Sequence, residues 1–321
     1  LPDISISSDG RDAPSAFADK IAAGEAGGAT TLWIANHLFQ RDPVTLAALA
    51  LARTARMRVA LMAINPFTTH PVQAAMAAAT LDEIHPGRVT LCLGVGAPAD
   101  LRAVGLDATK PLKAMREAFE AIRGLLHGET VRFAGELYQI NDRRLATGGR
   151  AVPLVLAASG PQMLELAGAV ADGVLISAGT SVEFVRQTLE RVHHGARGRK
   201  VRAAGLVYSS IDDHATTAND RLRRVLAILL RGAHHQANLA LAGSVLDQAA
   251  LNAAVLAEDW PHAEALIGDD IVHRHAASGS AGEVKARFAA YHAAGLDEIV
   301  ISGARDGDQI TRMLRTTEGV S

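Results

Sequence analysis

The sequence predicts an α/β fold, a (β/α)8 TIM barrel, on three observations. Eight short β-prone runs recur at 4–7, 31–35, 58–63, 89–94, 153–157, 173–177, 203–208 and 298–302. Ala- and Leu-rich stretches with helical spacing lie between them, at 13–27, 43–55, 71–84, 110–127, 160–170, 181–195, 213–231 and 280–294. Most of the runs are largely apolar, as in TLWIA and GVLIS, which is the pattern of parallel strands buried on both faces. Strand and helix in strict alternation over this length fit a closed barrel better than an open doubly wound sheet. No glycine fingerprint of the dinucleotide type follows the first strand, which counts further against the open sheet.

Each element has its own signal. Several helical stretches open on Pro, Ser or Asp, the residues of helix starts. Residues 128–145 alternate apolar and polar around Ala134-Gly135 and predict a β-hairpin before the fifth strand. Residues 232–279, rich in Ala and His, predict a helical insertion before the eighth strand, a candidate lid or dimer element. No Pro/Ser-rich linker interrupts the chain, so 1–321 reads as a single domain.

Composition narrows the function classes. The chain of 321 residues is 49% hydrophobic and 21% charged, enough to bury a large core. A formal charge of −2 without like-charge runs offers no footprint for nucleic acid or an anionic membrane surface, leaving a small-molecule substrate as the expected partner. Cys92, the single cysteine, excludes an internal disulfide and multi-cysteine metal sites. Neither a signal pattern nor a spanning-length apolar run is visible, so the expected location is cytoplasmic.

Barrel chemistry sits where strands end, so polar and glycine positions just after each apolar run are the candidates. Asn36-His37 follows the second strand, and a histidine there can move a proton or simply serve the fold. LMAINPFTTHP follows the third, its two prolines fixing a backbone that either presses on a flat ligand or closes rigidly onto a helix. Gly94-Val95-Gly96 bares the backbone after the fourth, for a planar ligand or for a tight turn. Ala158-Ser159-Gly160-Pro161-Gln162 runs directly into a helix, an anion site or an ordinary N-cap by Ser159. His193-His194, His234-His235, His273 and His275 lack the carboxylate spacing of a metal site and are expected at the surface or an interface, so no metal is predicted. Cys92 is expected to pack as a small hydrophobe, and Asp82, Glu83 and Arg88 to be structural.

Together these segments resemble one family, the luciferase-like monooxygenases. The likeness is carried by GATTLWIANHLFQRDPVTLAALALARTARMRVALMAINPFTTHPVQAAMAAATLDEIHPGRVTLCLGVG, by LVLAASGPQMLELAGAVADGVLISAG and by SGSAGEVKARFAAYHAAGLDEIVISG, with 209–275 least matched. The NPFTTHP and SGP elements are most similar to methylenetetrahydromethanopterin reductase-like members. The resemblance implies an oxidoreductase using coenzyme F-420 or FMN, for hydride transfer or monooxygenation. It implies a homodimer and, if FMN is used, a separate flavin reductase as partner. It places His37 near the reactive ring, with Asn36 where relatives carry an acid. It implies a non-prolyl cis peptide at Met62-Ala63, with Ile64 and Asn65 along the ring, Gly94 and Val95 at its edge, and Ala158, Ser159, Gly160 and Gln162 on the phosphate. The Asn36 departure leaves a non-catalytic flavin-binding protein as the competing reading. An unrelated barrel hydrolase or aldolase would need convergent His/Asp ligands or a strand-end lysine, and neither is visible.

Overall fold

Eight parallel strands close on themselves in the computed structural model, which describes residues 2–317. They are β1 (Asp3–Ser8), β2 (Thr31–Ala35), β3 (Arg58–Ile64), β4 (Val89–Leu93), β7 (Leu154–Ala158), β8 (Gly173–Ile176), β9 (Arg202–Ile211) and β11 (Glu298–Ser302). Pairing runs around the ring in that order, and β11 against β1 completes the closure. No barrel edge is left to pair with another chain. The predicted hairpin is β5 (Val131–Ala134) with β6 (Gln139–Arg143), an antiparallel pair outside the barrel.

Helices α1 (Pro14–Ala26), α2 (Pro43–Arg53), α3 (Pro71–Ile84), α5 (Pro111–Leu126), α6 (Pro161–Val170), α7 (Val182–Ala196), α8 (Ala215–Leu230) and α13 (Ala281–Ala293) occupy the predicted stretches. Proline at the first helical turn forfeits no hydrogen bond there, and it opens α1, α2, α3, α5 and α6. Two further helices, α4 (Pro98–Ala103) and α14 (Gly307–Thr317), carried too short or too polar a pattern to stand out in the sequence.

Side chains alternate between two cores, as a pleated strand requires. Leu32, Ile34, Leu61, Leu91 and Leu156 point outward into the layer between barrel and helices. Trp33, Ala35, Ala60, Cys92, Ala204 and Val300 point into the barrel. At the amino end Glu298, 4% exposed, accepts from Trp33 Nε1 at 2.8 Å and Ser5 Oγ at 2.5 Å, and pairs with Arg202 at 3.4 Å. This polar cluster occupies the amino end of the barrel, where Trp33, Arg202 and Glu298 line only a small cavity of about 100 Å³. Arg88 is structural as expected, its guanidinium bonding the carbonyls of Thr54 and Met57. Cys92 is fully buried and its thiol is pushed up by that burial, which removes it from thiolate chemistry.

The insertion is helical over α9 (Gln236–Leu241), α10 (Gln248–Leu256), α11 (Trp260–Ala265) and α12 (Asp269–His275). Its last residues depart from expectation, forming strand β10 (Ala277–Gly279) against the end of β9. These helices form a small second core on one face of α8, around Leu222, Leu226 and Leu230.

Two of the histidines expected at the surface are instead buried, His235 at 3% and His275 at 1% exposed. The insertion folds back on the loop after β8, and that loop's backbone needs partners away from water. Asn238 donates to the Gly179 carbonyl at 2.7 Å and accepts from Ser181 N at 2.8 Å. His275 Nδ1 donates to the same carbonyl at 3.0 Å, and Nε2 shares a hydrogen bond with Ser244 Oγ at 2.8 Å. Burial holds both imidazoles down to about 4, with His234 and His275 adding to the effect on His235, and Arg287 and Arg274 to that on His275 against Gly179 and Glu183.

A histidine lowered in the folded state binds its proton only in the unfolded chain between the two values. Its stabilising contribution is therefore complete above about 6.5 and is lost as pH falls toward 4. Urea midpoints are expected to drop steadily over that window, and His275→Gln is expected to flatten the drop. A midpoint independent of pH from 7 to 4.5 would count against the buried pair, by the same linkage.

Candidate active site

The barrel mouth holds a cavity of about 580 Å³, walled by the carboxyl ends of β2, β3, β4, β7 and β8 with Leu206 of β9. Its size and largely apolar lining suit a flat organic molecule. Most of the candidate residues meet here: Asn36, His37, Met62, Ala63, Asn65, Gly94, Val95, Ala158, Ser159 and Gly160.

The floor is built by an irregularity in β3. Leu61 pairs with Leu91 and Ile64 with Leu93, so three steps on β3 match two on β4. The extra residue turns Met62 and Ala63 both toward the barrel interior, and the peptide between them is cis. Alternation resumes at Ile64, and its side chain points outward into the barrel–helix core. Ile64 therefore departs from the expectation that it lines the ring; its carbonyl accepts from Gly94 N at 3.1 Å between β3 and β4.

Asn36 sits beside this bulge. Its backbone N–H donates to Met62 O at 2.6 Å and its side-chain amide donates to Ala63 O at 3.4 Å. A carboxylate in this position would face that carbonyl oxygen without a proton to share, so the amide suits the local backbone. His37 is exposed at the rim, where its imidazole is accessible from solvent and cavity alike.

Asn65, 6% exposed, bridges two loops: Nδ2 donates to Val95 O at 2.7 Å and Oδ1 accepts from Phe67 N at 2.8 Å. It lines the cavity with its amide already engaged, acting as a brace. The rest of the NPFTTHP loop is held from outside by Tyr138 of the hairpin, whose hydroxyl donates to Pro66 O at 3.0 Å and whose ring meets His70 edge-on. Glu117 of α5 anchors that hairpin by accepting from the backbone N–H groups of Glu136, Leu137 and Tyr138. Burial pushes the Glu117 carboxyl up, but those N–H groups and Lys113 outweigh it and hold it below the ordinary range.

At the far side β7 runs into α6 through Ser159-Gly160. The helix caps on Gly160 with no side-chain hydrogen bond, so Ser159 is not its N-cap. The first-turn N–H groups of Gln162 and Met163 therefore lack intrahelical partners, the arrangement that attracts an anion. Gln162 departs from expectation in one respect: its side chain is exposed and does not line the cavity, because the second helical position projects away from the mouth.

Several lining residues escaped the sequence reading, among them Ser177, Thr68, Asp100 and Met163. Ser177 stands just past β8, a polar residue after an apolar run like the other candidates, so the same rule applied to the sixth strand finds it. Thr68, Asp100 and Met163 come from a loop and two helices, where no local pattern marks them. Among the described lining residues His37 and Asp100 carry the titratable side chains. No group of three or more His, Cys, Asp or Glu able to hold a metal occurs among the described residues, and no described helix is long and apolar enough to cross a membrane.

A TIM barrel with an apolar cavity at its strand ends, a bulged third strand and an anion-ready turn after the fifth defines a class of cofactor-dependent barrel. The family profile for luciferase-like monooxygenase matches residues 4–298, and the chain belongs to that family. It is 29% identical to a 5,10-methylenetetrahydromethanopterin reductase of Archaeoglobus fulgidus, over 84% of this chain and 83% of that one. The coenzyme F-420-dependent tetrahydromethanopterin reductase of Methanopyrus kandleri superposes with a TM-score of 0.88 at 24% identity, covering 99% of this chain and 98% of that one. An F-420-dependent secondary alcohol dehydrogenase with a bound F-420–acetone adduct gives 0.84 at 19%, over 100% and 99%.

Gly96 has φ +81°, and a Cβ there would lie 2.3 Å from Asn65 Nδ2. Gly96→Ala is expected to strain the turn and displace the Asn65 brace, lowering unfolding free energy by about 1–3 kcal/mol in a denaturant titration. An unchanged midpoint would show that the brace is dispensable.

Proposed function

We propose that this chain is an oxidoreductase that holds a deazaflavin, coenzyme F-420, in the mouth cavity and exchanges hydride with a small organic substrate. The observation that carries the reading is the joining of two features in one cavity: a flat floor and an uncapped helix start. The floor can accept a planar ring because Gly94 carries no side chain and Ala63 only a methyl. At the other end the Ser159-Gly160 turn presents a hydroxyl and free N–H groups to a phosphate. A methylenetetrahydromethanopterin reductase, similar over 84% of this chain, supports the hydride reading.

A bound deazaflavin supplies a two-electron hydride carrier. The protein's residues do the remaining work. Met62, Ala63 and Gly94 would back one face of the ring, and Asn65 keeps their loops in register. Leu101, Met163 and Leu206 exclude water from the space above it, which protects hydride from loss. His37 and Asp100 at the rim are the side chains able to give or take a proton as the substrate changes oxidation state. Asn36 contributes a hydrogen-bond donor and no charge. Monooxygenation on FMN is the second reading, favoured by the family profile itself.

Titration of the purified chain with coenzyme F-420 and with FMN, followed by cofactor fluorescence, separates the two. Tighter binding of coenzyme F-420 is expected. Ser159→Asp sets a carboxylate against the phosphate at an exposed position and is expected to weaken either cofactor by about tenfold or more without lowering Tm. Binding of neither cofactor would overturn the assignment.

A further inference from the structure

Among the described residues that line the mouth cavity there is no lysine and no arginine. Two cations in neighbouring loops are turned to other partners: Arg41 donates to the carbonyls of Gly10 and Arg11, and Lys110 pairs with Glu136. The fixed charge of the described lining is therefore the carboxylate of Asp100, in the first turn of α4. Leu101, the next residue, is 1% exposed and sunk into the same wall, so the short helix that carries Asp100 is held at the mouth.

The Asp100 carboxylate is half-buried, and it has no hydrogen-bond or ion-pair partner among the described residues. An acid in a first helical turn gains a little from the helix dipole, which explains the residue type but not its place in a cavity wall without a cation. An anion entering this space would lose water to Leu38, Leu101, Met163 and Leu206 with no positive group to pair with, and would meet a like charge at Asp100. Both effects oppose it. An uncharged molecule meets neither, and a cation is attracted. The Ser159-Gly160 turn does accept an anion, through backbone N–H groups, but that place is taken by the phosphate of a bound cofactor.

We propose that Asp100 is a specificity-determining residue, which admits uncharged and cationic substrates to the mouth cavity and turns away phosphorylated and carboxylated ones. The proposal rests on the cofactor reading above and narrows the substrate class of that same site. It needs only the charge of Asp100, whether or not the same group also moves a proton.

The test reads the charge of the mouth without a substrate. Coenzyme F-420 bound to the full chain is quenched with caesium ion, iodide and acrylamide at pH 8, where imidazoles are neutral, and at constant low ionic strength. Acrylamide is expected to reach the ring. The ratio of caesium to iodide quenching, relative to the free coenzyme, is expected to rise about two- to fivefold on the protein. Asp100→Asn is expected to bring the ratio back toward that of the free coenzyme while keeping Tm, since the carboxylate has no partner to lose, and Asp100→Lys to invert it. A ratio that Asp100→Asn leaves unchanged would overturn the proposal, as would a bound ring that acrylamide cannot reach. A fall in Tm for Asp100→Asn would show the carboxylate already engaged by the fold and would overturn it as well. In all three cases the cofactor reading stands, because the coenzyme has bound. Failure of the coenzyme to bind would overturn that reading, and the selectivity of the mouth with it.

Discussion

The closeness of β3 and β4 at the barrel mouth is the constraint on which the rest of the site depends. A Cβ on Gly94 would lie 2.8 Å from that of Ala63 and 3.4 Å from that of Ala157, inside or at the edge of contact distance. Because Gly94 has none, the extra residue of β3 can turn inward without meeting its neighbour strand. Met62 and Ala63 then face the same space, and the floor of the cavity is flat and apolar. Asn65 and Gly96 secure the arrangement one step further out, the amide of one filling the room that a side chain on the other would take.

Rigidity of this kind is supplied from several layers. The hairpin does not touch the cavity, yet Tyr138 holds the loop after β3 and Glu117 holds the hairpin. On the opposite side Asn238 and His275 hold the loop after β8, which carries Ser177. The positions that face the cavity are thus fixed by polar contacts behind them, and the lining itself stays free of charge except at its rim. Such a division suits a site in which the protein orients a reactive ring and keeps water away.

The insertion illustrates how a segment can serve a site without entering it. It contributes nothing to the lining of the main cavity. Its helices pack on Leu222, Leu226 and Leu230 of α8, its last residues pair with β9, and a few buried polar groups tie it to the loop after β8. Those groups include two histidines that must stay neutral, and the stability of the attachment follows pH for that reason.

Local rules made the barrel, its strand ends and most of the mouth legible, because continuous apolar runs and helix-opening prolines act within a few residues. The resemblance of the first half placed Met62-Ala63, and the polar residues after each run gave Asn36, His37, Gly94 and Ser159. Three things were decided only by tertiary structure. Ile64 turns outward because the register with β4 resumes there, and register belongs to a pair of strands. Thr68, Asp100 and Met163 reach the cavity because of where loop and helices pack, which spacing along the chain does not encode. His235 and His275 are buried because distant segments bring them together around Asn238 and the Gly179 carbonyl. Sequence alone specified which residues can stand where a strand ends, since that is set by neighbours along the chain; the fold chose which of them face the same space.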